Sequence, residues 1–308
     1  MSQKKNISQL IKDKAQSLGF TSVGIAKADI LEEERGHLIQ WLDNKFHGDM
    51  HYMRNHFEKR LDPRKLVEDA QSVIVLTHNY YPERSIEKGN YNIAKYAYGE
   101  DYHIVLKDKL KVLLSFIEEK AGSVKARIFT DSAPVMERQW AVKAGLGWQG
   151  KNTLLIQKDH GSYFFLAEII LNIPLEYDQP FKTDHCGTCT RCIDACPTQA
   201  ILPDRQLNAS KCISYLTIEL KDDIPETFKN KWDNWIFGCD ICQDVCPWNK
   251  QSKPHREPRF FPKSKLFDML KTDWETLNQY EFDELFEKSA VKRATFSAFK
   301  KTIDFIKK

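Results

Sequence analysis

Two short stretches of the chain, HCGTCTRCIDACP at residues 185–197 and FGCDICQDVCPWN at residues 237–249, contain seven of its eight cysteines. Within each stretch, cysteines recur with two residues between them, and each contains the dipeptide Cys-Pro near its end. The remaining cysteine, Cys212, lies between the two stretches. Such spacing gathers several thiolates in a tight turn, as a metal centre with cysteine ligands requires. The pattern therefore predicts metal binding in this region.

The first stretch matches the C-x2-C-x2-C-x3-C-P run of bacterial two-cluster ferredoxins, in which the fourth cysteine ligates the other cluster. The second stretch lacks one cysteine of that run, and Cys212 is the thiol left to complete the set. Eight thiolates are the number that two [4Fe–4S] clusters need. The crossed arrangement predicts two ligand sets: Cys186, Cys189, Cys192 and Cys246 for one cluster, and Cys196, Cys212, Cys239 and Cys242 for the other.

Zinc and disulfide bonds are the two alternatives for these cysteines. Zinc sites usually take two separated C-x2-C pairs, which three cysteines at successive spacing fit poorly. The N-terminal sequence MSQKKNISQLIKDKAQ lacks the apolar segment of a signal peptide, and no stretch approaches 18 consecutive apolar residues. We therefore expect a cytoplasmic protein without a membrane span. Disulfides are rare in that reducing compartment, so iron–sulfur clusters are the favoured interpretation.

The composition is that of a globular protein. The 308 residues allow about two domains. Hydrophobic residues make up 42% and charged residues 29%, which argues against wholesale disorder. The net charge of +3 is too small to indicate nucleic-acid binding by itself, so that question depends on local clusters of charge.

Helices and strands alternate through the first 175 residues, which predicts an α/β or α+β domain. Hydrophobic periodicity predicts helices over 7–18, 102–119 and 134–145, and strands over 72–81, 124–130 and 163–173. After the cysteine region, a basic stretch with three prolines leads to helical segments near 266–287 and 289–307. We expect three parts: a ligand-binding domain at 1–177, a two-cluster domain at 178–250, and a basic linker with C-terminal helices at 251–308.

Asp131 is the main catalytic candidate outside the cysteines. It follows a predicted strand and precedes a predicted helix, where α/β folds build ligand crevices. It could serve as a general acid if burial raises its pKa. The alternative is that Asp131 or Ser132 only caps the following helix.

Two further motifs are incomplete. GLGWQGKNT at 145–153 has Asn152 where a phosphate-binding loop needs Ser or Thr. It either presents Lys151 and backbone amides to a polar cofactor or is a plain turn after a helix. DYHIV at 101–105 contains Asp-x-His, but Leu106 replaces the glycine of the D-x-H-x-x-G cobalamin motif. A corrinoid, if bound, is therefore expected to bind without that histidine loop.

In this order the pieces resemble the epoxyqueuosine reductases, cobalamin-dependent enzymes with two [4Fe–4S] clusters that complete the queuosine base in tRNA. The resemblance covers almost the whole chain, through EKRLDPRKL, YGEDYH, TDSAPVMER, AGLGWQGKNT, GSYFFLAEI, CISYLTIE and both cysteine stretches. It implies an N-terminal cobalamin-binding domain, a ferredoxin-like two-cluster domain and a short helical tail. The HEAT-like extension of many members is absent from this sequence. The family is related in architecture to reductive dehalogenases.

The resemblance also implies a site and a reaction. Asp131 becomes the proton donor above the corrin rather than a helix cap, and cobalamin binds base-off between the first two domains. Contacts with the cobalamin are implied at Arg60, Ala94, Asp131, Leu155, Leu166, Ser214, Cys239 and Asp240. The implied reaction is the reduction of epoxyqueuosine to queuosine at the wobble position of tRNA.

A tRNA substrate needs lysines and arginines for its phosphates. The densest predicted cluster is Lys250, Lys253, Arg256, Arg259, Lys263 and Lys265, and the next is Lys292, Arg293, Lys300 and Lys301. The clusters need a low-potential electron donor, which the sequence does not name, and we expect a monomer. Two other functions stay open: a dehalogenase-like corrinoid reductase of a small molecule, and a ferredoxin-like electron carrier.

Overall fold

The computed structural model describes residues 2–87, 89–232 and 234–307. The strands are β1 (Ser22–Lys27), β2 (Ser72–Asn79), β3 (Asn92–Ile93), β4 (Ala126–Phe129), β5 (Trp148–Gln149), β6 (Leu155–Ile156), β7 (Phe164–Leu171), β8 (Ile201–Leu202), β9 (Gln206–Leu207) and β10 (Trp235–Phe237). The helices are α1 (Ser2–Ser17), α2 (Glu32–Asp43), α3 (Phe57–Leu61), α4 (Tyr102–Ala121), α5 (Glu137–Lys143), α6 (Arg191–Asp194), α7 (Ile213–Ile218), α8 (Ile241–Asp244), α9 (Lys271–Thr276), α10 (Gln279–Leu285) and α11 (Phe296–Lys307).

A four-stranded sheet in the order β1-β2-β7-β4 forms the centre of the N-terminal region. All three strand pairs are antiparallel. The region is therefore α+β, and of the two predicted classes α/β does not apply. The sheet is antiparallel although helices alternate with strands in the sequence, because β2 and β4, which α4 connects, run in the same direction but are separated by β7.

The two faces of this sheet carry separate apolar layers, because successive side chains of a strand point to opposite faces. On one face Ile169 packs with Leu110 of α4 and with α1. On the other face Ile170 packs with Trp140 of α5. The β7 side chains of even number, including Glu168, therefore lie on the α5 side.

Most predicted elements of this region exist with shifted ends. The helix predicted over 134–145 begins only at Glu137, so Pro134 lies in the preceding loop. The strand predicted over 163–173 is β7, and that over 72–81 is β2, which ends before Pro82. These differences follow from end effects that hydrophobic periodicity does not encode.

The C-terminal helices predicted near 266–287 and 289–307 are divided in the structure. The side chain of Asn278 accepts a hydrogen bond from the Glu281 N–H, and the Glu281 carboxylate accepts one from Asn278, so a capping box starts α10. Ser289 caps a short 3₁₀ turn at Ala290–Arg293 before α11. Among the helices of the described residues, none is both long enough and apolar enough to span a membrane.

Contacts cross the predicted boundaries near residues 177 and 250. The N-terminal strand β3 pairs in parallel with β10, which directly precedes the second cysteine stretch. One apolar cluster joins Ile93 and Phe237 to Trp274 and Phe299 of the C-terminal helices. The three predicted parts of the chain therefore share an apolar core.

Candidate active site and cluster-binding cysteines

All eight cysteines are free thiols, and they lie in two groups. In the first group, burial raises the pKa of Cys192, and the nearby thiols of Cys186 and Cys246 raise it further. Burial likewise raises the pKa of Cys246, which also interacts with Cys186 and Cys189. Cys246 of the second stretch therefore faces the first three cysteines of the first stretch, as the predicted ligand set requires.

The second group combines Cys212 with the last cysteine of the first stretch and the first two cysteines of the second stretch. Burial raises the pKa of Cys239 well above its ordinary value, with contributions from Cys242 and Cys212. The pKa of Cys212 is raised by burial and by Cys196. The buried Cys242 interacts with Cys212 and also with Cys192 of the first group, so the two groups adjoin. Two adjoining sets of four thiols fit two [4Fe–4S] clusters in chemistry and in number.

Neighbouring side chains hold the first cysteine stretch in place. Trp148 Nε1 lies 3.5 Å from Cys186 Sγ, and Asp184 accepts a hydrogen bond from the Cys186 N–H. The Lys151 ammonium donates to the carbonyl oxygens of Gly187 at 2.7 Å and of Cys189 at 2.9 Å. Lys151 of the GLGWQGKNT loop therefore braces the cluster region.

Asp131 lies in the loop between β4 and α5. The hydroxyl of Tyr102 donates to its Oδ2 at 2.5 Å, and Nε2 of the buried His103 lies 3.3 Å from the same oxygen. The N-cap of α5 is Met136, and no side chain caps that helix. The alternative that Asp131 or Ser132 caps α5 is therefore wrong.

A chain of charged groups extends behind Asp131. His103 Nδ1 lies 2.7 Å from Asp101 Oδ1, and Arg293 Nε lies 3.2 Å from Asp101 Oδ2. Burial alone would lower the pKa of His103, but its hydrogen bond with Asp101 and the carboxylate of Asp131 at 3.3 Å raise it. Burial alone would raise the pKa of Asp101, but hydrogen bonds from His103 hold it at about 2. The arrangement favours a protonated imidazole between two carboxylates.

Asp131 is both accessible and desolvated. Its side chain keeps 59% of its surface exposed, yet surrounding protein makes desolvation the largest single influence on its pKa. Desolvation raises the pKa of Asp131, but His103 at 3.3 Å and the hydrogen bond from Tyr102 outweigh it, so the pKa is lowered. The net rise in pKa that the sequence-based prediction requires of a general acid at Asp131 is therefore absent, and the arrangement favours a proton on His103.

The residues predicted to contact cobalamin lie on several different elements of the fold. Lys95 N–H, next to Ala94, donates to the buried Asp240 carboxylate at 2.8 Å, which brings Ala94 to Asp240 and Cys239. Leu155 and Leu166 belong to the apolar layer beside α5. Ser214 lies in the first turn of α7, and Arg60 lies in α3.

Arg60 has an unusual environment. Its Nη2 donates to the Tyr52 carbonyl oxygen at 2.9 Å, while its buried Nε has no hydrogen-bond partner. Burial lowers the pKa of Arg60. Burial raises the pKa values of the nearby Tyr52 and of Glu219, and the charge of Asp131 raises both further. An unpaired buried donor fits a ligand rich in amide oxygens, such as cobalamin.

The sequence patterns predict no role for Tyr102, His103 or Glu137. The signal for the first two is DYHIV, which as a sequence indicates only an incomplete cobalamin motif. Glu137 binds the backbone of Asp131, a contact that depends on the loop conformation and has no local sequence signature.

The predicted tRNA-binding residues divide into engaged and free side chains. Arg259 makes a two-pronged ion pair with Glu100, at 2.7 and 2.9 Å, and another with Asp108 at 3.0 Å. Within the described residues, ion pairs or backbone carbonyls also engage Lys263, Lys292, Arg293, Lys300 and Lys301. Over the same described residues, no ion pair is made by Lys250, Lys253, Arg256 or Lys265.

A family described as the 4Fe-4S double cluster binding domain matches residues 185–249, which hold all eight cysteines. The fold and the sites thus define a class, the iron–sulfur oxidoreductases in which a double-cluster domain adjoins a substrate domain. A second family, described as epoxyqueuosine reductase QueG, DUF1730, matches residues 60–132.

Curated relatives named epoxyqueuosine reductase match the chain over nearly its whole length. The protein of Cyclobacterium marinum is 58% identical over 97% of this chain and 96% of its own. That of Escherichia coli is 39% identical over 93% of this chain and 77% of its own. The chain belongs to the epoxyqueuosine reductase family. It is an oxidoreductase whose reaction is the reduction of epoxyqueuosine in tRNA.

Solved structures agree with this assignment. A crystal structure of epoxyqueuosine reductase with an epoxyqueuosine-modified tRNA-Tyr stem loop has a TM-score of 0.89 and 31% identity, covering 98% of this chain and 80% of that one. A catabolic reductive dehalogenase has a TM-score of 0.50 and 16% identity over 83% of this chain and 33% of its own. That second likeness shows a shared fold alone.

Proposed function

We propose that the chain reduces epoxyqueuosine at the wobble position of tRNA with two [4Fe–4S] clusters and a bound cobalamin, and that Asp131 and His103 supply a proton. The solvent-accessible Asp131, which accepts a hydrogen bond from Tyr102 and lies 3.3 Å from His103, is the observation that carries this proposal. Family membership favours this reaction over a small-molecule reductase or a simple electron carrier.

The cysteines would hold the clusters in the two sets described above, and Arg60, with its unpaired Nε, would hold the cobalamin. When bound, the clusters and the cobalamin supply the low-potential electrons that no side chain can provide. Ala94, Leu155, Leu166, Ser214, Cys239 and Asp240 would form the remaining contacts with the cobalamin.

The chain's own part in the reaction is the handling of protons. Deoxygenation of an epoxide consumes two electrons and two protons and gives an alkene and water. His103 carries the first proton and passes it through the Asp131 carboxylate to the epoxide oxygen as the C–O bond breaks. Asp101 stabilises the imidazolium before the transfer. The proton is needed because opening of the epoxide otherwise gives an alkoxide, which is a poor product.

The tRNA must present the modified base unstacked from its neighbours, because the reacting ring hangs on a nucleobase. The unpaired side chains Lys250, Lys253 and Arg256 are the proposed phosphate contacts. They lie on one segment that directly follows the second cysteine stretch.

Anaerobic reconstitution tests the proposal. The purified chain is loaded with iron and sulfide, with or without cobalamin, reduced, and incubated with tRNA that bears epoxyqueuosine. Nucleoside analysis should show queuosine only when cobalamin is present. Equal product without cobalamin would reject the corrinoid, and no product from a fully loaded enzyme would reject the assigned site.

A further inference from the structure

Glu168 is a fully buried carboxyl in the middle of β7. It lies on the sheet face that packs under α5, in the apolar layer of Ile170 and Trp140. Its cross-strand neighbours, Val75 on β2 and Phe129 on β4, are apolar. Neither of its carboxyl oxygens receives a hydrogen bond. An ionised carboxylate in such surroundings would cost several kcal/mol, so Glu168 is held in the neutral acid form.

The group that Glu168 meets is Glu137, the first residue of α5. Burial raises the pKa of Glu168 well above its ordinary value, and Glu137 raises it further. Burial and the charge of Asp131 raise the pKa of Glu137 to about 8. Arg138 offsets this only in part, since its guanidinium donates to the Thr153 carbonyl oxygen at 2.7 Å. Two carboxyls in contact within an apolar layer cannot both ionise, so they hold at least one proton between them.

Glu137 in turn holds the backbone of Asp131. Its Oε1 accepts the hydrogen bond of the Asp131 N–H. Asp131 has a φ of +55°, in the left-handed region that residues other than glycine seldom adopt. The neighbouring Thr130 hydroxyl donates to the Leu166 carbonyl oxygen at 2.9 Å. These bonds fix the loop in the conformation that directs the Asp131 carboxylate toward Tyr102.

We propose that Glu168 and Glu137 are positioning residues for Asp131: protonated Glu168 donates to Glu137, which is thereby oriented to accept the Asp131 backbone N–H. The inference rests on the proposed role of Asp131 in proton transfer. The pair does not feed protons to the reaction, because release of the shared proton would leave two carboxylates in the apolar layer. The transferable proton stays with His103 and Asp131.

Two substitutions at Glu168 separate positioning from folding. Glu168→Leu removes the donor, so kcat should fall roughly 10- to 100-fold, the effect expected when an acid is displaced by about 1 Å. The KM for tRNA should not change, and thermal stability should hold or rise because a buried carboxyl is replaced by an apolar group. Glu168→Gln keeps a donor toward Glu137 and should restore most of the missing turnover.

Ile170→Val is the matched control, since it disturbs the same face of β7 two residues away without touching the pair. Its kcat should equal that of the unmodified enzyme. Should Glu168→Leu fail to fold, Glu137→Ala against Glu137→Gln repeats the comparison, because the Gln amide oxygen still accepts the Asp131 N–H.

Infrared spectroscopy of the substrate-free protein gives a readout independent of activity. The carbonyl stretch of buried protonated carboxyls should be present in the unmodified chain and weaker in Glu168→Gln, where Glu137 and Asp240, whose pKa values are also raised by burial, still contribute. An undiminished band in Glu168→Gln, unchanged kcat in folded Glu168→Leu, or equal reductions of kcat in both variants would overturn the proposal. A normal band together with an active Asp131→Asn would instead refute the proposed role of Asp131 alone.

Discussion

Asp131 accepts a hydrogen bond from Tyr102 and lies 3.3 Å from His103, and these two neighbours together outweigh the effect of burial on its pKa. Burial favours the neutral acid, but the nearby His103 and the hydrogen bond from Tyr102 favour the carboxylate. The proton therefore sits mainly on His103, whose imidazolium lies between Asp131 and Asp101. The acid is a pair of side chains with one transferable proton.

Asp131→Asn tests the acid directly. The amide keeps the shape of the side chain and leaves the backbone N–H free to bind Glu137, but it cannot relay a proton. General acid catalysis contributes about 10²–10⁴-fold, so single-turnover rates on epoxyqueuosine tRNA should fall by about that factor. Iron content, cobalamin loading and thermal stability should stay near those of the unmodified enzyme. Near-normal turnover with full cofactor content would leave the acid unidentified.

Asp101→Asn tests the role of His103 through pH. Asp101 raises the pKa of His103, so its replacement lowers that pKa. Catalysis that needs the imidazolium is present below this pKa and is lost as pH rises through it. The alkaline fall in kcat should therefore move to lower pH, while Asn still caps α4 at this position.

Arg293→Gln is the control of opposite sign for this pH experiment. The Arg293 charge lowers the pKa of His103, so its removal should move the alkaline fall in kcat to higher pH. If both variants move the profile in the same direction, His103 is not the group that titrates.

At the scale of elements, the basic stretch after residue 250 is more ordered than its three prolines suggest. The side chain of Asn79 donates a hydrogen bond to the Lys253 carbonyl oxygen at 2.8 Å. The backbone N–H of His255 donates one to the Tyr81 carbonyl oxygen, also at 2.8 Å. The side chain of Phe260 is buried in the core beside the central sheet. The backbone of the stretch is therefore fixed at several points, and its unpaired basic side chains project from a rigid support.

Lys253→Glu combined with Arg256→Glu should weaken tRNA binding and reduce its dependence on salt, by about one unit of slope for each phosphate that the protein no longer neutralises. Cluster content should not change, because neither side chain makes an ion pair with the fold in the described residues. Binding titrations over a range of salt concentrations measure both effects.

Arg259→Gln is the comparison for that experiment. Arg259 is engaged by Glu100 and Asp108, so its replacement should lower the melting temperature and leave the salt slope unchanged. If Arg259→Gln changes the salt dependence of tRNA binding and the double substitution at Lys253 and Arg256 does not, the tRNA contacts the opposite side of this stretch.

At the scale of the whole molecule, Cys212→Ala tests how the cysteines are divided. Cys212 interacts with Cys196 and Cys239, both of the second group. The variant should lose one cluster and retain about four of about eight irons. Iron and sulfide analysis measures this, with Cys189→Ala as the matched variant for the other cluster. Absence of both clusters from Cys212→Ala would contradict the division.

The predictable part of this molecule is the part with local sequence signatures. The cysteine spacing predicted the cluster domain because the ligands of one turn are close in sequence. The long runs of β2 and β7 predicted strands, but only the sheet register shows that Glu168 lies below α5 beside Glu137. The same limit applies to His103, since its contact with Asp131 joins a helix start to a distant loop.

The ribosome delivers Cys186 sixty residues before Cys246. At ~5–20 residues per second, about 3–12 s separate the two. Because Cys246 lies with Cys186, Cys189 and Cys192 in space, the nascent chain holds at most three thiols of that set during this interval. Until Cys246 is synthesised, the other reduced thiols of the set are exposed to oxidation. The order of synthesis therefore makes metal loading a late event, which a chain released early, before residue 246, could not complete.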